Sequence, residues 1–150
     1  MSHTYNENSQ HIIFSTKYRK PILTPEIQEE LFPYIATIIN QHFGQCYLIN
    51  GMPDHLHILC QLSGKHGISD LVKRIKIESS KWLQNRFQFS PKFHWQTGYA
   101  SFAVSHSQYP KVLKYIKNQE EHHRQQDFKD EYRHFIEKHG LKLQDDEFDN

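Results

Sequence analysis

The chain has 150 residues, 37% of them hydrophobic and 13% aromatic, which suits a single domain with a real core. No apolar run approaches the roughly 18 residues of a membrane span, and the opening MSHTYNENSQ has neither the basic nor the apolar region of a secretory leader. The net charge of +1 conceals a split, with 14 Lys and Arg against 9 Asp and Glu through Arg124 and 4 against 8 thereafter. A mildly basic body is compatible with a nucleic-acid partner without requiring one. Cys46 and Cys60 show no zinc spacing, so a reduced, cytoplasmic protein is the simplest account.

In chain order, His11 to Arg19 (HIIFSTKYR) predicts a strand that Pro21 ends. Thr24, followed by Pro25 and Glu26, is a helix start with Thr as cap and Pro at the first helical position. Ile27, Leu31, Tyr34, Ile35, Ile38 and Ile39 then recur at helical spacing as far as Phe43, and Gly44 stops the helix. CYLINGM and HLHILCQL predict a hairpin around the Gly51–Asp54 turn. Ser69 and Asp70 can cap a second helix carrying Leu71, Val72, Ile75 and Leu83, and FHWQTGYASFAVS supplies short strands around Thr97 and Gly98. Ser107 and Pro110 open a helix with Val112, Leu113 and Ile116 on one stripe, and EYRHFIEKHG reads as a final short helix. This order argues for an α+β sandwich, a mostly antiparallel sheet covered by helices. The ending LKLQDDEFDN is acidic and is expected to be loose.

Two segments carry chemistry. In GMPDHLHILCQL, His55 and His57 stand two residues apart on a predicted strand, so both point to one face. Paired imidazoles on a rigid strand are a start for a divalent-metal site, although histidines so placed can equally just pack against a helix. In SQYPKVLKYIKNQEEHHR, Tyr115 and Gln119 lie one helical turn apart on the same face, off the centre of the apolar stripe. Taken alone, that pair also fits an amphipathic helix with a snorkelling tyrosine and a solvated amide. His122 and His123 diverge by about 100° on a helix and are expected at the surface or facing DNA. Lys17, Arg19 and Lys20, with Tyr18 between them, suit phosphate contact plus base stacking, and Lys73, Arg74, Lys76 and Lys81 punctuate the second helix.

Together these segments resemble the single-tyrosine HUH transposases (His, hydrophobe, His), the small transposases of bacterial insertion sequences and their REP-associated relatives. The matching pieces are FSTKYRKPIL, GMPDHLHIL, SSKWLQ, WQTGYASFAVS and YIKNQEEHHR, in family order across most of Ile12 to Gly140. The resemblance implies a ferredoxin-like, HUH-type sheet with the tyrosine on a C-terminal helix. It implies one catalytic domain over residues 1–141 and a flexible acidic tail over 142–150. It makes His55 and His57 the metal-binding pair, Gln119 the third ligand and Tyr115 the nucleophile, with Mg²⁺ or Mn²⁺ as cofactor. The implied activity is cleavage and rejoining of single-stranded DNA next to hairpin ends through a 5′-phosphotyrosine link, by a homodimer. For this chemistry His55 and His57 should sit on a central strand, both facing the tyrosine helix, with an approach for solvent. Two rivals are a DNA-hairpin-binding or nicking protein that no longer transposes, and a histidine-triad phosphohydrolase. The latter needs a third histidine at position 59, where this chain has Leu59.

Overall fold

A computed structural model describes residues 2–148. Four strands, β1 (Ser9–Ser15), β2 (Gly44–Met52), β3 (His55–Leu62) and β4 (Ala100–Ala103), form one sheet in the order β2-β3-β1-β4 with every neighbouring pair antiparallel. Helices α1 (Pro25–His42) and α2 (Ile68–Phe87) connect β1 to β2 and β3 to β4, giving the ferredoxin-like order of elements. Helices α3 (Tyr109–Lys117), α4 (Gln119–His122) and α5 (Phe128–Lys138) follow the last strand. The α+β class and the antiparallel sheet agree with the sequence reading. No helix among the described residues is long and apolar enough to cross a membrane.

The alternation of strand side chains divides the sheet into two unlike faces. Ile12, Phe14, Leu56, Ile58 and Cys60 point to one face and join Leu31, Ile35, Ile39 of α1 and Leu71, Val72, Ile75 of α2 in the larger core cluster. Each such side chain, once buried, stabilises the fold by roughly 1.5–3 kcal/mol. The alternate residues, His11, Ile13, His55, His57 and Leu59, belong to the other face, which α3 and α5 cover through Ile116, Phe128 and Tyr132. The C-terminal segment contributes Leu143 and Phe148 to that second layer. Thr24 caps α1 as expected, its side chain accepting from the Ile27 amide, with Pro25 behind it.

Several boundaries differ from the sequence reading. β1 ends at Ser15 rather than Arg19, because the Thr16 hydroxyl donates to the Lys20 carbonyl and the chain turns there, with Tyr18 (φ 58°) and Arg19 (φ 54°) in the left-handed region. α2 begins at Ile68, capped by Gly67 and not by the Ser69 or Asp70 side chain. The segment around Thr97 and Gly98 forms a single strand, β4, plus one isolated bridge between Thr16 and Trp95. The final helix starts at Phe128, where the Asp127 carboxylate accepts from the Asp130 amide.

Candidate active site

The Pro53–Asp54 turn feeds β3 so that His55 is its first residue and His57 follows on the same face, paired across β1 with Ser15 and Ile13. β3 is an interior strand, as required of a rigid ligand platform. The tight hairpin depends on Gly51: a Cβ there would meet the His55 carbonyl oxygen at 2.3 Å and the Leu56 Cα at 2.8 Å. Beside His57 on β2, Asn50 donates its amide to the Ile116 carbonyl at 2.9 Å, tying the end of the tyrosine helix to the sheet.

Glu131 is the centre of the arrangement. Its Oε1 lies 2.9 Å from His57 Nε2, 3.3 Å from His55 Nε2 and 3.2 Å from His123 Nε2. Its Oε2 accepts a short hydrogen bond from the Tyr115 hydroxyl and a 3.3 Å bond from Gln119 Nε2. Gln119 Oε1 in turn lies 3.1 Å from His55 Nε2. Side chains from β3, α3, α4 and α5 therefore converge on one carboxylate. Ligand atoms of His55, His57 and Glu131 lie within 4.8 Å of one another, close enough to share an ion. The distal nitrogens are also held: His55 Nδ1 is 2.7 Å from Asp54 Oδ1, and His57 Nδ1 is 2.7 Å from His11 Nε2.

The electrostatics follow from packing charges where water does not reach. Burial disfavours the His55 cation, but the hydrogen bonds and charges of Asp54 and Glu131 outweigh it and raise the pKa to about 9. Burial dominates at His57 and lowers its pKa despite the pull of Glu131. His11 is held well below its ordinary value by burial and by His57. At Glu131 burial is overcome by His57, His123 and His55, which keep the carboxyl ionised far into acid. Tyr115 shifts the other way: burial and the neighbouring Glu131 charge hold its phenol protonated well above the usual range.

Several expected residues meet here and others do not. His55, His57, Tyr115 and Gln119 converge, but Gln119 does not arrive by continuing the tyrosine helix. The helix breaks at Asn118 (φ −101°, ψ 31°), and Gln119 opens α4. The same break overturns the surface placement of His122 and His123. His122 stacks on the Tyr115 ring with centroids 4.1 Å apart, and His123 is nearly buried against Glu131. The expected solvent approach is also absent from this arrangement. His55, His57, Gln119 and Glu131 are fully buried, with Phe128 of α5 packed 4.5 Å from the His55 ring.

Glu131 itself escaped the sequence reading. Its signal was a carboxylate flanked by Phe128, Tyr132 and Phe135 at helical spacing, a charge on an apolar stripe that demands a buried partner. Among the basic residues, Lys73, Arg74, Lys76 and Lys81 ride on α2, across the sheet from the histidines. Arg74 pairs with Glu78, and the Lys76 ammonium donates to the Gln96 and Gly98 carbonyls at 2.8 and 2.6 Å. Lys17, Tyr18 and Lys20 line a separate pocket of about 250 Å³ with Phe89, Lys92 and Phe93, while Arg19 donates to the Phe148 carbonyl at 2.5 Å. Position 59, where a histidine triad would need its third member, holds a leucine buried against Val104 and Ile116.

Comparisons with known proteins identify the family. The family described as Transposase IS200 like matches residues 4–119. The ISDra2 transposase TnpA of Deinococcus radiodurans is 28% identical over 114 residues, spanning 73% of this chain and 81% of that protein. A crystallised protein of Deinococcus radiodurans R1 assigned as a transposase superposes with a TM-score of 0.64 at 26% identity, over 79% of this chain and 95% of that one. A REP-associated tyrosine transposase solved with a REP hairpin gives 0.62 at 16% identity over 82% and 73%, a likeness of fold. With the family match running across most of the chain and through both histidines, Tyr115 and Gln119, this protein belongs to the IS200-like transposases.

Proposed function

We propose that this transposase cleaves and rejoins single-stranded DNA beside hairpin ends through a covalent Tyr115–5′-phosphate intermediate, with a divalent ion at His55 and His57. The observation that carries the reading is the meeting of the Tyr115 hydroxyl and both imidazoles on one carboxylate, Glu131. The donor set fits an ion. Two imidazole nitrogens, a carboxylate oxygen and the Gln119 amide oxygen form a mixed nitrogen–oxygen shell suited to Mn²⁺ and open to Mg²⁺. Both cysteines take part in the larger core cluster instead, across the sheet. Glu131 thus joins the ligand set inferred from the sequence, where Gln119 stood alone as the third member.

When bound, such an ion supplies positive charge to the scissile phosphate. The chain's own groups do the rest. Tyr115 Oη attacks phosphorus, forming an O–P bond as the bond to the 3′ oxygen breaks. Glu131 Oε2, which already accepts the phenol hydrogen bond, takes the proton and passes it on to the leaving 3′ oxygen, so that the leaving strand ends as a 3′-hydroxyl. Reversal by another strand's 3′-hydroxyl joins new ends without an external energy source. The closed arrangement holds the phenol protonated, so in this reading its proton passes to Glu131 only as phosphorus is attacked.

The described residues of a single chain bring the proposed nucleophile and histidines together, so the proposed homodimer would hold two such sites. Light scattering of a dimer at micromolar concentration would support it, and a monomer whose activity survives dilution would not. The cytoplasm is the proposed compartment. The full burial of the site favours one second reading, hairpin binding without cleavage. Incubation with hairpin-bearing single-stranded DNA and Mg²⁺ or Mn²⁺, followed by a denaturing gel, separates the two. A DNA-shifted protein band supports cleavage, and tight binding with no adduct under either ion supports the second reading.

A further inference from the structure

The two histidines have unlike outer partners. His55 Nδ1 faces a carboxylate, Asp54, whereas His57 Nδ1 faces another imidazole, His11 Nε2, at 2.7 Å. His11 lies on β1, where Ile13 pairs with His57, and the two rings stack with centroids 5.0 Å apart and planes at 26°. His11 is itself pinned edge-on by Phe135, at 5.1 Å and 87°, and by Phe102, at 6.5 Å and 64°. Such a buried, aromatic-walled position would be filled more simply by a phenylalanine if packing were its whole purpose.

We propose that His11 is the positioning residue for His57, fixing its ring plane and accepting its Nδ1–H so that Nε2 is free to face a divalent ion. The inference rests on the metal-centre reading above. A neutral imidazole offers one nitrogen as ligand only when the other carries the proton. That proton needs an acceptor inside a dry core, and outer partners of this kind set the orientation and the tautomer of ligating histidines. His11 differs from the carboxylate beside His55 in being able either to donate or to accept. With Nε2 of His57 hydrogen-bonded to Glu131, His11 donates to Nδ1. With Nε2 facing an ion, His11 accepts from Nδ1–H. One neutral partner therefore serves both arrangements without adding a second negative charge beside Glu131.

The test compares Mn²⁺ binding, read by calorimetry or by the loss of the free-ion EPR signal, in full-length wild type, His11→Phe and His11→Gln. His11→Phe keeps a ring among Phe102 and Phe135 but accepts nothing, and should weaken Mn²⁺ by about 10- to 100-fold. His11→Gln can donate or accept and should recover part of the loss, while hairpin-DNA binding without added metal stays as in wild type for both. In parallel, ¹⁵N–¹H spectra of wild type with saturating Mg²⁺ should show His57 protonated on Nδ1, a readout that does not depend on a variant folding. Wild-type affinity in folded His11→Phe, equal loss in both variants, or His57 protonated on Nε2 under Mg²⁺ would each overturn the role of His11 alone. A wild-type protein that binds neither ion would overturn it together with the metal-centre reading.

Discussion

The two faces of the same sheet are built from alternate residues of the same strands yet solve opposite problems. Beneath α1 and α2, Ile12, Phe14, Leu56 and Ile58 bury hydrocarbon, and the free energy scales with area. Beneath α3 and α5, His11, His55 and His57 share the interior with Gln119 and Glu131, and every buried polar side-chain atom among the described residues has a partner. Apolar packing tolerates many sequences of similar volume, whereas a buried charge network holds only while each member is present. The first face holds the fold together, and the second has the composition of a working site.

The largest effect should come from the smallest change on the polar face. Tyr115→Phe deletes one oxygen, keeps the ring stacked on His122 and should leave the fold intact. Adduct formation should vanish, with cleavage falling by a factor on the order of 10⁶, as when a nucleophile is removed. An adduct mapped by mass spectrometry to another residue would break the assignment. On the apolar face, Phe14→Ala should act through stability alone, by about 3–5 kcal/mol in urea unfolding. The fraction that stays folded should still bind Mn²⁺ as wild type does.

A pH series should separate the faces further. His55 has its pKa raised to about 9, so in the ion-free protein its contribution is fully present below about pH 6.5 and is lost as pH rises through about 9. The loss should be on the order of 3 kcal/mol in denaturant midpoints, and Mn²⁺ should flatten it, because the ion replaces the Nε2 proton. A flat ion-free profile over that window would remove Glu131 and Asp54 as the cause. Glu131→Gln keeps the volume but not the charge. It should lower the His55 pKa, seen by NMR titration, and weaken Mn²⁺ by at least about tenfold. The smallest effects belong to the outer lysines. Lys20→Ala should weaken single-stranded DNA binding a few-fold and lower its salt slope by about 1, and Lys73→Ala on α2 should do less. Equal losses for both, in a salt-dependent binding assay, would extend the DNA path along α2.

What the sequence determined is what local rules govern. Period-two alternation put His55 and His57 on one face of a strand, and Thr24–Pro25 announced α1. The order of strands and helices gave an α+β antiparallel sheet, and the motif order gave the family. Tertiary structure decided the rest, because those choices depend on groups distant in the chain. The break at Asn118 turned Gln119, His122 and His123 inward, which the helical spacing of Tyr115 and Gln119 does not announce. Glu131 lies 74 residues beyond His57, and no local pattern says which buried cation an inward carboxylate will find. His11, read in the sequence only as the start of a strand, became the neighbour of His57 through the antiparallel register of β1 and β3, with the two residues 46 apart. Residue types and their faces follow from period and propensity, whereas the partner of a buried charge is chosen by the packing of whole elements.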